Sequence, residues 1–174
     1  MRKRNKIDYF TDAEKRELSI EFLEERIYGS ITLLVVNIGL IMNSENLSTS
    51  HVFGVIITTS IGLWAASLFA SILAFRTIHD HSMPRSRIVK NVIAHRGIIV
   101  AAIPSLFVIC LAALKILEIQ TVVIVNIALT VIAMTLIIMR SAKTSDGKLH
   151  ETLISFGLQA AVIAAVVLVK LFAH

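Results

Sequence analysis

The sequence predicts an all-α membrane protein with five transmembrane helices, and three observations support this fold class. The chain has 174 residues, of which 56% are hydrophobic and 17% are charged, whereas soluble domains have about 45–50% apolar and about 25% charged residues. Its mean hydropathy is +0.79. Five apolar stretches reach or approach the roughly 20 residues that a helix needs to cross a bilayer. These values exclude a disordered chain, a collagen-like repeat and an ordinary soluble enzyme.

The first 26 residues are predicted to form a cytoplasmic segment that contains a helix. Thr11-Asp12-Ala13-Glu14 has the pattern of a capping box, in which a threonine hydroxyl and a glutamate side chain each satisfy a backbone amide. No Gly or Pro follows until Gly29. We therefore expect an N-terminal amphipathic helix of more than four turns, which runs along the cytoplasmic face and leads into the first span.

Residues 27–174 are predicted to form one five-span domain. The third and fourth apolar stretches form a single run that only Lys115 and Glu118 interrupt. One helix through both would be far longer than the bilayer is thick, so we expect a tight hairpin at Lys115–Gln120. The approximate spans are 27–42, 52–75, 97–114, 121–139 and 152–173.

The basic residues predict the orientation of these spans. The chain carries 17 Lys and Arg residues and a net charge of +5, and all but Lys115 and Lys170 fall on one side of the five-span arrangement. By the positive-inside rule that side is cytoplasmic. The N-terminus is then inside and the C-terminus outside a bacterial cytoplasmic membrane. The basicity follows from this topology, so the expected partner is the lipid bilayer and not a nucleic acid.

A stripe of five glutamates is the first candidate site for a metal ion. At 100° per residue they fall within an arc of about 100° on the N-terminal helix. Like charges four residues apart destabilise a helix, and no Lys or Arg lies four residues after any of the five. Two partners remain open: the basic residues between the second and third spans, or a divalent cation held by carboxylate oxygens. The glutamates are Glu14, Glu17, Glu21, Glu24 and Glu25, and the basic residues are Arg85, Arg87, Lys90 and Arg96.

The segment between the second and third spans offers a second candidate metal group. It contains His79, Asp80 and His81. Two histidines separated by one residue cannot share a helix face, but they can chelate an ion from an extended loop. A pH-sensitive surface loop is the alternative use of these residues.

Polar side chains within the spans are the third candidate site. Amides and hydroxyls in apolar spans usually form hydrogen bonds between helices, and the alternative is that they line a narrow polar path. No Asp, Glu, Lys, Arg or His lies deep within a predicted span. Since such groups commonly mark proton relays, a proton-coupled carrier is less favoured, and a channel or a path lined by the backbone stays open. The candidate path residues are Asn37, Asn126, Thr130 and Gln159.

Small residues on the second span favour close packing against another helix. Thr59, Gly62, Ala66 and Ala70 follow one face, and such a face permits close approach within the chain or across a dimer. We expect a homodimer.

The sequence contains no pattern typical of an enzyme. It has no P-loop, no GxGxxG motif and no evident pair of nucleophile and base. The single cysteine, Cys110, excludes an internal disulfide and a zinc site built from cysteines. No catalytic residue is predicted.

Two segments carry a resemblance to known proteins. The first, Arg26-Ile27-Tyr28-Gly29-Ser30-Ile31, lies in span one, and the second, Trp64-Ala65-Ala66-Ser67-Leu68-Phe69-Ala70, lies in span two. They resemble the R-x-Y-G-T-I and W-L-A-H-x-Y-A motifs of a family of small bacterial integral membrane proteins. Ser30 stands in place of the motif's Thr, and Ser67 in place of its His. This resemblance implies a topology and assigns no activity.

A looser resemblance is to the vacuolar iron transporter family. Gly29-Ser30 corresponds to the start of that family's G-A-x-D-G motif, with Thr32 at the position of the Asp and Leu33 at that of the second Gly. The proteins of that family look like dimers of five-span chains whose N-terminus is inside, with an acidic metal-binding region in the cytoplasm. Here the acidic residues precede span one, whereas in that family they lie between spans two and three. The resemblance is one of architecture.

These observations predict an integral membrane protein that passes or senses cations, with divalent metal ions favoured. The glutamate stripe and the group of His79, Asp80 and His81 would gather the ion at the cytoplasmic face. The polar residues within the spans would line or brace its path. The alternative is a non-transporting scaffold or an accessory subunit of a larger complex. In that case the glutamates pair with the basic loop, and the amides only hold helices together.

Overall fold

The computed structural model describes residues 11–42 and 47–144, together with residues 153, 154, 156, 157, 159–161 and 164. The first ten residues and most of the predicted fifth span lie outside these described residues. The regular secondary structure within them is entirely helical.

Four long helices make up most of this structure. They are α1 (Asp12–Met42), α2 (Thr49–His79), α3 (Arg85–Ala113) and α4 (Ile119–Thr144). All four are long and apolar enough to cross a membrane, which fits a multi-pass membrane protein. The eight described residues from 153 onward are also helical, and we refer to them as the fifth segment. The predicted orientation across the membrane stays a prediction.

Helix α1 is continuous from the predicted cytoplasmic segment into the first span. The capping box forms as predicted: Thr11 N–H donates to Glu14 Oε2 at 2.8 Å, and Glu14 N–H donates to Thr11 Oγ1 at 3.3 Å. The 31 residues of α1 extend about 46 Å at 1.5 Å per residue, while a bilayer core is about 30 Å thick. Its apolar part, residues 27–42, is therefore long enough to enter the bilayer while the charged residues before it extend beyond.

Two of the turns between helices depend on residues with a positive φ that are not glycine. Asp80 ends α2 with a φ of 54°, and Lys115 follows α3 with a φ of 58°. The Lys115 N–H donates to the Ala112 carbonyl at 2.9 Å, and the Ile116 N–H donates to the Leu111 carbonyl at 3.0 Å. The break between α3 and α4 therefore agrees with the hairpin expected near Lys115, although no Gly or Pro marks it.

Helices α1 and α3 form the most extensive contact in the fold, and two glycines bring their backbones together. A Cβ atom at Gly97 of α3 would lie 2.3 Å from the Phe22 carbonyl oxygen and 2.8 Å from the Arg26 nitrogen. A Cβ atom at Gly29 of α1 would lie 3.0 Å from Ile98 Cα. Glycine at these positions therefore sets how closely the two helices approach.

The buried apolar core lies away from the charged end of α1. Its members come from the C-terminal halves of α1 and α3 and the N-terminal parts of α2 and α4, so the core sits between the ends that are joined by the α1–α2 and α3–α4 connections. Helix α2 instead exposes large apolar side chains, such as Phe69 and Leu73, along its length. The core residues are Leu33, Leu40, Val52, Ile56, Ala102, Val108, Ile109, Ala112, Val122 and Val123.

We expect Gly97→Ala to destabilise the protein by about 1–3 kcal/mol, the usual cost of overpacking a tight contact, because the added methyl group meets backbone atoms of α1. Gly39→Ala is the matched control, since a Cβ atom there would meet nothing within 4 Å. The check is the thermal unfolding of both variants in detergent. If the Gly97→Ala protein has the same melting temperature as the wild type, α1 and α3 are not held at this distance.

Candidate functional site

Three helices meet at a polar cluster formed by Glu25, Ser67 and His95. Glu25 belongs to α1, Ser67 to α2 and His95 to α3. The Ser67 hydroxyl donates to Glu25 Oε1 at 2.8 Å. His95 Nδ1 lies 2.6 Å from the same carboxylate oxygen and 3.2 Å from Ser67 Oγ. The side chains of Glu25 and His95 are only 16% and 13% exposed, so the cluster is largely removed from the surface. We call it the three-helix cluster.

The order of contacts in this cluster differs from that of a catalytic triad. In a Ser–His–acid triad the hydroxyl and the carboxylate contact different nitrogens of the imidazole ring. Here Ser67 and Glu25 both contact Nδ1 of His95. The ring therefore does not stand between them, and it is not placed to carry a proton from the hydroxyl to its other side.

One oxygen of the cluster has no partner. Glu25 Oε2 is buried and has no hydrogen-bond partner among the described residues. Burying a charged group without a partner costs free energy, because the group loses its hydration and gains no compensating contact. A bare carboxylate oxygen beside an imidazole is a place where a cation would be stabilised.

The other end of the glutamate stripe pairs with the basic residues of α3. Glu14 Oε1 accepts a hydrogen bond from the Lys90 ammonium group. This contact, together with those from the Thr11 backbone and hydroxyl groups, holds the pKa of the Glu14 carboxyl well below its usual range. The cause is that donors and a positive charge favour the ionised form. Of the four basic residues named as candidate partners, Lys90 is thus one that contacts the stripe.

A cavity of about 400 Å³ opens beside this ion pair. Glu14, Glu17 and Glu21 line one side of it, and Arg87 and Lys90 line the other. The Arg87 guanidinium also lies 4.6 Å above the centre of the Phe75 ring. The cavity wall therefore carries both signs of charge, which favours water or a polar solute over a single bare cation.

The five glutamates do not converge on one point. Glu14 and Glu25 lie eleven residues apart on α1, which corresponds to about 16 Å along the helix. Glu24 is exposed. A single ion cannot contact both ends of the stripe. Among the residues that the structure describes, no three His, Cys, Asp or Glu side chains are grouped closely enough to hold a metal ion.

The His79-Asp80-His81 segment forms the end of α2. His79 Nδ1 lies 3.1 Å from the Phe75 carbonyl oxygen, and His81 Nδ1 lies close to the His79 carbonyl oxygen. Because a carbonyl only accepts, each Nδ1 carries the proton in these contacts. The His79 ring stacks on Phe75 with the ring centres 4.2 Å apart, and the two histidine rings lie 5.8 Å apart. The segment caps the helix, and its two Nδ1 atoms are engaged by the backbone.

The polar residues of the predicted path are buried. Asn37 on α1 and Asn126 on α4 are both 0% exposed. Asn37 Nδ2 donates to the Leu33 carbonyl at 2.8 Å, which leaves Asn37 Oδ1 as the unpaired atom. Both side-chain polar atoms of Asn126 lack a hydrogen-bond partner within the described part of the chain.

Thr130 and Gln159 both contact backbone carbonyls of α4. The Thr130 hydroxyl donates to the Asn126 carbonyl at 2.8 Å. Gln159, in the fifth segment, places Nε2 3.4 Å from the Val131 carbonyl of α4, and its Oε1 has no partner within the described ranges. Three unpaired amide oxygens, from Asn37, Asn126 and Gln159, are thus buried in the predicted spans.

Neither His95 nor Ser67 is predicted from the sequence to lie in a site with Glu25. His95 lies just before the predicted third span, and Ser67 is one of several hydroxyls on an apolar helix. The signal that could have found Ser67 is its position in the W-L-A-H-x-Y-A motif, where the resembling family has a histidine. No pattern within α3 alone points from His95 to Glu25, since the pairing depends on how α1 and α3 pack.

Comparisons with known proteins do not assign the chain to a family. No family model, no curated protein and no solved structure matches the chain. The two resemblances given by the sequence motifs stay predictions.

We expect the Glu14–Lys90 pair to stabilise the fold in a pH-dependent way. The pKa of Glu14 is lower in the folded protein than its ordinary value of 4.5, so its contribution is fully present above that value and is lost as the pH falls through the folded pKa. The difference in melting temperature between the wild type and Glu14→Gln should therefore be positive at neutral pH and shrink on acidification. Thermal unfolding in detergent across the acid range measures it.

Glu24→Gln is the matched control for this measurement, because it removes an exposed carboxylate from the same helix. If Glu14→Gln and Glu24→Gln have the same melting temperature at every pH, the ion pair does not contribute to stability.

Proposed function

We propose that the protein is a cation-conducting integral membrane protein whose path runs past the buried amides of α1, α4 and the fifth segment. The observation that carries the proposal is the set of unpaired amide oxygens on Asn37, Asn126 and Gln159. Amide oxygens are ligands for hard cations and for the water that accompanies them. Like the hydroxyls of Ser and Thr in the predicted spans, they can offer an oxygen to an ion without burying a fixed charge.

The energetic reason for the proposal is the cost of leaving these atoms bare. An unsatisfied buried polar group costs about 1–3 kcal/mol, and the cost is not offset by water in the hydrocarbon region. Each bare oxygen is stabilised if water or a cation occupies the space beside it. A purely adhesive role for the amides would instead use both ends of each amide in contacts between helices, and Asn126 makes no such side-chain contact within the described residues.

The position of the amides relative to the core supports a common path. Asn37 lies between Leu33 and Leu40 on α1, and Asn126 follows Val123 by three residues on α4. Leu33, Leu40 and Val123 belong to one buried cluster, and α1 packs directly against α4. Asn37 and Asn126 therefore face the same core from two sides.

The proposal includes the membrane and the oligomer. Apolar helices with basic residues between alternate spans favour the bacterial cytoplasmic membrane with the N-terminus inside. A homodimer is favoured by the small residues of α2. Gly62, Ala66 and Ala70 are exposed, and a small-residue face permits two helices to approach closely.

The test is ion flux into proteoliposomes that contain the purified full chain. We expect K⁺ or divalent-cation flux from the wild type and a reduction of about tenfold or more in Asn126→Leu. We take the contact between a cation and an amide oxygen to be worth as much as a hydrogen bond to a charged group, about 1.5–3 kcal/mol, and about 1.4 kcal/mol corresponds to tenfold in rate. The same substitution should leave the melting temperature unchanged or raise it, because it removes an unsatisfied polar group.

Thr58→Val is the matched control for Asn126→Leu. Thr58 is exposed on α2, and its hydroxyl donates to the Gly54 carbonyl at 2.7 Å, so it lies outside the proposed path. Equal flux in the two variants would exclude Asn126 from the path. Absence of flux of any cation from folded, oriented wild-type protein would exclude conduction and favour the scaffold, whose glutamates only pair with the basic loop.

A further inference from the structure

We propose that the three-helix cluster of Glu25, Ser67 and His95 is a binding site for a divalent transition-metal ion such as Zn²⁺. The inference deepens the proposed function, on which it rests for its biological role, by naming the class of cation that is gathered at the charged end of the helices. The binding itself can be measured without flux. The site differs from both metal groups that the sequence predicts, since it takes one glutamate from the stripe and none of the residues 79–81.

The types of ligand in the cluster favour a transition-metal ion. A carboxylate and an imidazole together suit a borderline divalent metal better than Mg²⁺ or Ca²⁺, which prefer oxygen ligands alone. Glu25 supplies the carboxylate, His95 the imidazole and Ser67 a hydroxyl, and water completes the coordination. Glu25 and His95 are the two strong ligands, and Ser67 is the weak third.

The distances between the three side chains of the cluster are close to those of a zinc site. Two ligand atoms of a tetrahedral zinc site lie about 3.3 Å apart, given bonds of about 2.0–2.1 Å. In the cluster the three atoms are separated by 2.6 Å, 2.8 Å and 3.2 Å. All three thus lie within about 0.7 Å of the separation that a shared ion requires, and small side-chain rotations are sufficient to admit it.

The unpaired oxygen of the Glu25 carboxylate also favours a cation at this site. Glu25 Oε2 is buried with no partner among the described residues, so the carboxylate is only half satisfied by Ser67 and His95. An ion beside the carboxylate would supply the missing positive charge. On binding, the neutral His95 ring carries its proton on Nε2 instead of Nδ1, because only the deprotonated nitrogen can bind a metal.

Helix packing holds the ligands in place. The two strong ligands lie on α1 and α3 beside the closest approach of these helices, since Gly97 follows His95 by two residues and its Cβ position lies 3.2 Å from Glu25 Cβ. A site formed on three helices is also preorganised, because moving a ligand requires moving a helix.

The experiment is calorimetric titration of the purified full chain in detergent with Zn²⁺ and, for comparison, with Mg²⁺. We expect one Zn²⁺ per chain at this site and no comparable affinity for Mg²⁺. Glu25→Gln and His95→Gln should each weaken Zn²⁺ binding by about tenfold or more, a loss typical of altered metal sites. Ser67→His should strengthen binding by about tenfold or more, because it replaces the weak hydroxyl with a second imidazole.

Three control variants separate this site from other groups that bind metals. Glu17→Gln tests the rest of the glutamate stripe, His79→Gln tests the histidine segment at the end of α2, and Cys110→Ser tests the exposed thiol. All three should bind Zn²⁺ with the wild-type affinity. The Ser67→His variant keeps the proposal testable if either ligand substitution prevents folding.

Two results would overturn the proposal. One is Zn²⁺ binding that survives Glu25→Gln and His95→Gln but is lost in a control variant. The other is no Zn²⁺ binding by the folded wild type, whatever Ser67→His binds. Failure of the proposed function gives a different result, since Zn²⁺ would still bind at the cluster while no cation crosses the proteoliposome membrane. Conversely, amide-dependent K⁺ flux without Zn²⁺ binding would leave conduction intact and exclude the metal site.

Discussion

The close approach of α1 and α3 at Gly97 is the contact on which the rest of the structure depends. The Cβ position of this residue lies 2.3 Å from a carbonyl oxygen of α1, so only a hydrogen atom fits there. That approach fixes which side chains of α1 face α3. It brings Glu25 to His95 and, toward the N-terminus of α1, Glu14 to Lys90. A larger separation would open both pairs at once, and the charged end of the bundle would lose its polar contacts between α1 and α3.

Polar and apolar contacts hold opposite ends of the bundle. At one end α2 is joined to its neighbours by hydrogen bonds, from Ser67 to Glu25 and between Asn91 and Ser71. At the other end Val52 and Ile56 of α2 enter the buried core. Lipid tails are as apolar as the side chains themselves, so burial alone contributes little to helix association inside a bilayer. Close packing and hydrogen bonds therefore have a larger share in positioning α2 than in a soluble bundle.

The sequence predicts the helices better than it predicts their pairings. Four of the five apolar stretches, the capping box at Thr11 and the break near Lys115 follow from local chemistry, and these appear in the described residues. The pairing of Glu25 with His95 depends on the rotation of α1 against α3, which Gly97 sets, and Gly97 cannot be told from the other glycines by its sequence context. The glutamate stripe shows the same limit. Its unequal charge predicts that partners are needed, but two members find different partners about 16 Å apart.

Large buried apolar side chains lie between the two polar levels of the bundle, and they bear on how an ion would pass from one level to the other. Glu25 and Asn37 lie twelve residues apart on α1, which corresponds to about 18 Å along the axis and a rotation of about 120°. Leu34 and Ile98 lie on α1 and α3 between these levels, and each is 1% exposed. An ion held at the three-helix cluster would meet these side chains before it reached an amide oxygen. Since closely packed interiors do not yield gradually, passage requires the helices to adopt a second arrangement in which Leu34 and Ile98 are displaced. Under the proposed function, the conformation described here is therefore a closed one.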